Sequence, residues 1–198
     1  MLCYNDTMTA TKKKIRIGFD FDGVLFYNPI RLLRPVLDLV KKYILHVPST
    51  TFYVARTKNS YAIMRLVHAS SFMPNVGLRD FLALIDHPKY EVFVVTARQA
   101  FLLPDLYLLL KVYNVRIPHN IIYCNKHDEQ AHVFKERMMK KLKLDFYVED
   151  NWDIVDYLRQ KTKTRVVWLF NRIDKLIIHD TFKAPNVKEA IVLIKTTL

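Results

Sequence analysis

Two carboxylates two residues apart, Asp20 and Asp22, stand at the end of the apolar run Ile15, Ile17, Phe19. That alternation with Arg16 and Gly18 suits a short buried strand. In a continuing strand, side chains at i and i+2 point the same way. Gly23 then lets the chain turn sharply. Two acids held this close repel unless a cation lies between them. The carboxyl ends of strands in an open α/β sheet are also where ligands bind. The pattern therefore reads as a Mg²⁺-dependent active site, and the alternative is a strand ending in a solvated acidic turn.

Three further stretches join it in order. Residues 92–95 are apolar and end in Thr96-Ala97-Arg98. Residues 145–148 form another short run before Glu149-Asp150-Asn151. Lys135 lies fourteen residues before Glu149, with an amphipathic helical pattern between them. Together these resemble the four motifs of the haloacid dehalogenase-like (HAD) superfamily: Asp-x-Asp-Gly-[Thr/Val], a strand ending in Thr or Ser, a Lys opening a helix, and an acidic motif. Val-Glu-Asp-Asn followed by Val-Val-Trp-Leu-Phe-Asn resembles its 5′-nucleotidase-like branch more loosely. Lys126, directly after a strand, competes with Lys135, whose spacing to the acidic motif fits better.

The elements that must position these residues follow from periodicity. Apolar runs at 92–95, 121–123, 145–148 and 166–170 predict further strands, alternating with helical patterns. Helices are expected from about Tyr61 to His68, from Leu78 to Ile85, after Pro104, from Trp152, and from about Val187 to Lys195. Such alternation predicts an α/β fold: a three-layer Rossmann-like parallel sheet. The resemblance puts the first strand at its centre, flanked by those bearing Thr96 and Glu149-Asp150.

Residues 1–14 read as a loose tail, and 15–25 with 91–198 as the core. Residues 26–90 resemble a small helical cap insert of the C1 type, its third helix packing partly on the core. Within it, Asn28-Pro29 caps a helix with Leu33, Leu37, Val40 and Ile44 at helical spacing, which Pro35 kinks or starts. Tyr27, Arg31, Arg34, Tyr53, Arg56, Lys58 and Arg65 supply the aromatic and cationic groups that would sandwich a base and grip a phosphate. Each is singly more common as a packing or surface residue. His68 lies in an apolar helical pattern and reads as structural.

Composition narrows the classes. Half of the 198 residues are hydrophobic, which disfavours disorder. No apolar run approaches the roughly 18 to 20 residues of a membrane span. Cys3 and Cys124 stand in no metal spacing and read as free thiols in a reducing cytoplasm. His127 and His132 have no matched partners for a zinc site. The three glycines cannot write a Walker or dinucleotide-binding pattern. A formal charge of +12 favours anionic substrates.

The resemblance implies a mechanism. Mg²⁺ would take the Asp20 carboxylate, the Asp22 backbone carbonyl and the Asp150 carboxylate, with Glu149 behind it or as an alternative ligand. Asp20 would attack phosphorus and form an aspartyl-phosphate. Asp22 would protonate the leaving oxygen and then activate water. Thr96 would hydrogen-bond the phosphoryl oxygens, with Ala97 and Arg98 beside the substrate, and Lys135 would neutralise charge. Dehalogenases of the superfamily lack the second Asp and P-type ATPases usually carry Thr there, so Asp22 favours a phosphatase or phosphotransferase. The leading expectation is a Mg²⁺-dependent phosphatase of a small phosphomonoester, such as a nucleotide. A polynucleotide end phosphatase, with nucleic acid as partner, ranks second. A catalytically silent binding protein of the same fold ranks third.

Overall fold

The computed structural model describes residues 13–29, 46, 50–171 and 178–198. The strand opening on the acid pair, β1 (Ile15–Phe19), lies inside a six-stranded sheet. After it come the two-residue strand β2 (Phe26–Tyr27), α1 (Lys58–Ala69), the two-residue β3 (Met73–Pro74) and α2 (Leu78–Ile85). The chain continues through β4 (Tyr90–Gln99), α3 (Leu103–Val112), β5 (Ile122–Asn125), α4 (Ala131–Leu142) and β6 (Phe146–Glu149). It closes with α5 (Trp152–Lys161), β7 (Arg165–Leu169), β8 (Lys183–Ala184) and α6 (Val187–Thr196). Sheet order is β5-β4-β1-β6-β7-β8, and every pairing in it is parallel. β1 is therefore flanked by β4 and β6, which carry Thr96 and Glu149 at their carboxyl ends.

Parallel strands need both faces covered. On one face Ile17, Phe19, Val92, Val94, Val148 and Val167 pack beneath α2, α3 and α6. On the other, Phe93, Val95, Tyr147, Val166 and Trp168 pack beneath α4 and α5. Each fully buried Ile, Phe or Val stabilises the sheet by about 1.5–3 kcal/mol. Gly18 points to this second face, where a Cβ would come within 2.6 Å of Leu144 and 2.8 Å of Tyr147. Only glycine lets Leu144 and Tyr147 close over β1.

Local chemistry sets the helix ends. Asn151 caps α5 by accepting from the Asp153 and Ile154 amides at 3.0 and 3.4 Å. Asn186 does the same for α6 through Glu189. α1 begins at Lys58, not Tyr61, because Thr57 and Ser60 form a reciprocal capping box. The helix expected over 78–85 is α2, and its Leu78, Phe81 and Leu84 pack on the core. The sheet gains a sixth strand, β8, and a separate two-stranded ladder, β2–β3, neither expected from periodicity. The helix expected around Leu33, Leu37, Val40 and Ile44, with Arg31 and Arg34, lies outside the described residues.

Candidate active site

Asp20 follows the last residue of β1, and its amide still donates to Val148 of β6 at 3.0 Å. That bond carries its carboxylate alongside Glu149 and Asp150. One oxygen, Oδ1, accepts from the Phe21 amide at 2.8 Å. The other, Oδ2, accepts from Lys135 Nζ at 2.8 Å, and the same ammonium donates to Glu149 Oε2 at 2.6 Å. Lys135 reaches inward from the first two turns of α4 and is 2% exposed. Glu149 Oε1 accepts from the Asn151 amide at 3.1 Å, so both its oxygens hold protein donors. Lys126, the competing lysine, is exposed.

Asp150 lies against the turn after β1. Gly23 there has a φ of +82°, and an added Cβ would fall on the Asp150 carboxylate. Glycine is required twice over, for the left-handed backbone and for the space. The carboxylates of Asp20, Glu149 and Asp150 offer oxygens within 4.8 Å of one another. Among the described residues they form the one acidic, His or Cys group able to hold a metal.

Three buried acids stand together here, and the buried ammonium of Lys135 pairs with two of them, Asp20 and Glu149. Burial pushes the Asp20 carboxyl well above its ordinary value; Lys135 opposes this, while Glu149 and Asp150 add to it. Burial also raises Glu149, again against Lys135. Burial alone would lower the Lys135 ammonium, but Asp20 and Glu149 hold it above its ordinary value. Hard carboxylate oxygens gathered this closely fit a small divalent cation such as Mg²⁺.

Asp22 has a different environment. Its Oδ2 and Oδ1 accept from Arg98 Nε and Nη2 at 2.8 and 2.7 Å. Arg98 is 2% exposed, lies over the Phe21 ring at 4.9 Å, and donates to the His68 carbonyl at 3.3 Å. Burial would raise the Asp22 carboxyl, but the charge and hydrogen bonds of Arg98, with His68 beside it, hold it well below its ordinary value. Arg98, expected beside the substrate, thus has its guanidinium on Asp22. The cause is local: the β4–β5 register shifts between Thr96 and Gln99, and the irregularity turns Ala97 and Arg98 out of the ladder. Thr96 is fully buried and its Oγ1 accepts from the Arg98 amide at 3.2 Å, which leaves its hydroxyl proton to donate.

Two kinds of residue escaped the sequence reading. His68 Nδ1 lies 3.4 Å from Asp22 Oδ2, a pairing across 46 positions with no local signal. Gln99 and Gln130 each bind both backbone groups of one residue in the segment before α1. Gln99 accepts from the Ala55 amide at 3.1 Å and donates to its carbonyl at 3.2 Å. Gln130 does so with Phe52 at 2.9 and 3.2 Å. These side-chain amides strap residues 52–55 across the carboxyl ends of β4 and β5, leaving Tyr53 and Arg56 exposed there.

No family model and no curated protein matches the chain. Solved structures do. A protein designated beta-phosphoglucomutase from Thermotoga maritima superposes with a TM-score of 0.56 at 12% identity, over 93% of this chain and 100% of its own. A HAD family hydrolase from Salmonella enterica subsp. enterica serovar Typhi gives 0.52 at 11%, over 92% and 72%. DsGPDH of Dunaliella salina gives 0.52 at 12% over 92% of this chain, which spans only 36% of that protein. The fold is that of the haloacid dehalogenase-like hydrolases.

Proposed function

We propose that the protein is a Mg²⁺-dependent phosphatase that hydrolyses a small phosphomonoester through an aspartyl-phosphate on Asp20. The observation that carries this reading is Lys135 clamped between Asp20 and Glu149, with Asp150 completing a buried acidic trio. Asp20 and Asp150 would hold the ion by their carboxylates and Asp22 by its backbone carbonyl. Glu149, both oxygens already engaged, would hold Lys135 instead. When bound, the cation would neutralise phosphate charge and let an anionic nucleophile approach.

The rest is the work of the chain. Asp20 is fixed by the Phe21 amide and by Lys135, so its carboxylate is oriented before substrate arrives. Attack forms an Asp20 O–P bond as the ester P–O bond breaks. Lys135 balances charge on Asp20 and the phosphoryl group. The buried Thr96 hydroxyl and nearby backbone amides would receive phosphoryl oxygens. Asp22, held ionised by Arg98, is set to take a proton from the water that cleaves the aspartyl-phosphate. In the first half-reaction it must carry a proton to the leaving oxygen, which requires loosening the Arg98 contacts.

Residues 26–90 would act as the cap. The strapped segment carrying Tyr53 and Arg56, with Tyr27 and His68, would face the substrate's leaving group. A small ester, such as a nucleotide, is favoured over a polynucleotide end because Lys140, Lys143, Lys161 and Lys163 gather at the opposite end of the sheet. The buried free thiol of Cys124 suits a reducing compartment such as the cytoplasm. Among the described residues no helix is long and apolar enough to cross a membrane.

The test is release of inorganic phosphate over a panel of small esters and 5′-phosphorylated oligonucleotides, with Mg²⁺, with Ca²⁺ and with excess chelator. Small esters should turn over with Mg²⁺, poorly with Ca²⁺, and not with chelator. Full activity in chelator would remove the metal, and no turnover of any ester would leave the silent binding protein.

A further inference from the structure

A second charged feature lies at the amino end of the sheet. Lys13 and Lys14 lead into β1, and Arg165 opens β7. Lys140 and Lys143 end α4, while Lys161 and Lys163 follow one another out of α5. These seven cations line one cleft of about 990 Å³, and among the described residues its only carboxylate side chain is Asp145. That carboxylate already accepts from the Arg16 amide at 2.8 Å. Among the described residues, ion pairs engage only Lys140 of the seven, with Glu136.

Lysines at helix ends commonly offset the helix dipole. Each helix carboxyl end carries roughly −0.5 charge, and α4, α5 and α6 end at this cleft. Three such ends with Asp145 offset about 2.5 charges, well short of seven. The surplus is a local positive field open to solvent.

We infer that this cleft docks the sugar-phosphate backbone of a nucleic-acid duplex, without regard to base sequence. Charge complementarity is the first ground: flexible ammonium groups suit phosphodiester oxygens and carry no sequence information. The second is the absence of a stacking platform. Phe146, the aromatic residue in the lining, is 2% exposed, and the Arg165 guanidinium lies over its ring at 5.3 Å. Single-strand binders use exposed aromatics for bases, and among the described residues this cleft has none to offer. The third is shape. A concave groove fits a cylindrical backbone better than a flat anionic bilayer. Of its apolar lining among the described residues, Met139, Leu144 and Phe146 are buried and Leu198 is the one exposed side chain, too little to anchor in lipid. The cleft and Asp20 are at opposite ends of β1, about 16 Å apart at ~3.3 Å per residue. A docked duplex would therefore be a tether or partner and not the substrate.

The experiment measures anisotropy of a short fluorescein-labelled DNA duplex and its RNA equivalent over a salt series, using the whole chain. The variant Lys143→Glu/Lys161→Glu/Lys163→Glu is compared with Lys111→Glu/Arg116→Glu/Lys188→Glu, which changes net charge equally on exposed residues outside the cleft. The cleft variant should lose at least about tenfold in affinity, and its salt slope should fall by about 0.9 per phosphate contact removed. The control should bind within about twofold of the parent. Equal loss in both variants would reduce the effect to net charge and overturn the site. So would no duplex binding at low salt, or binding only to anionic phosphatidylserine vesicles. Circular dichroism of both variants separates loss of fold from loss of contact. Binding is read without turnover, so the result is independent of whether Asp20 hydrolyses an ester.

Discussion

The two ends of β1 carry opposite charge under opposite conditions. At the carboxyl end, Asp20, Glu149 and Asp150 surround Lys135, every one 5% exposed or less. At the amino end, seven cations line a cleft open to water. Buried charges interact strongly and must each find a partner, so the carboxyl end is held by hydrogen bonds of 2.6–3.1 Å to named atoms. Exposed charges are screened and need no fixed partner, so the amino end tolerates flexible lysines. Changes at the first end should act steeply and individually. Changes at the second should act weakly and in sum.

The largest effect belongs to Asp20→Asn. The amide keeps the shape and can still accept from Phe21, but it is a far weaker nucleophile. Turnover should fall about 10³-fold or more, with the fold intact by circular dichroism. Wild-type turnover in a folded variant would remove Asp20 from its role and erase the asymmetry between the ends.

Asp22→Asn tests the ion-paired acid. Loss of about 10²–10⁴-fold is expected on alkyl phosphates, whose leaving oxygen needs a proton. The loss should be smaller on p-nitrophenyl phosphate, whose leaving group is stable as an anion. Equal losses on both ester types would make Asp22 a holder of Arg98 and not a proton donor.

Lys135→Met leaves Asp20 and Glu149 buried without their cation. Stability should fall by about 3–5 kcal/mol in chemical denaturation. Adding Glu149→Gln removes one of the stranded charges, so the double variant should recover part of that loss. No recovery would mean that Glu149 does not depend on Lys135.

The site's pH response has a defined sign. Asp20 and Glu149 have raised carboxyls, so their folded-state contribution is full at low pH and is lost as pH climbs through their folded values. Asp22 is lowered, so its pairing stabilises at all pH above the ordinary carboxylate range and is lost only in stronger acid. A divalent cation held by Asp20 would compete with the proton on that raised carboxyl. Mg²⁺ should therefore raise Tm more at pH ~8 than at pH ~5. An equal rise at both would place the ion elsewhere.

That the strand-end residues come together was legible in the sequence, for a physical reason. Asp20, Thr96, Glu149 and Asp150 each end an apolar run, and a parallel sheet brings such ends together. Lys135 was legible because its helix runs directly into β6. What was not legible depends on contacts that leave no periodic trace. Arg98 reaches Asp22 because of the irregularity in β4, and His68 approaches it from a helix far along the chain. The strands β2, β3 and β8 are two residues each, too short to show alternation. The capping box at Thr57 uses Ser60 where Glu or Gln is the usual third residue, so α1 gave no clear start.

The smallest effect is the one that keeps the two ends separate. Consider phosphatase activity on a small ester in the Lys143→Glu/Lys161→Glu/Lys163→Glu variant. Two unit charges about 16 Å apart in water interact by about 0.26 kcal/mol, and screening at physiological salt reduces this to about 0.03 kcal/mol. Three reversals change the cleft by six units, and a phosphate dianion carries two. The summed change is about 0.4 kcal/mol, or about twofold in kcat/KM. The same variant should lose about tenfold or more in duplex affinity. Measuring kcat/KM across a salt series checks both parts: parent and variant should differ by about twofold at physiological salt, by more below it, and converge as salt rises further. A tenfold fall in turnover of the small ester at physiological salt would mean that the basic cleft couples to the catalytic end through the fold and not through the field. A clear preference of the parent for 5′-phosphorylated oligonucleotides, lost with salt, would mean that the docked strand reaches Asp20 after all.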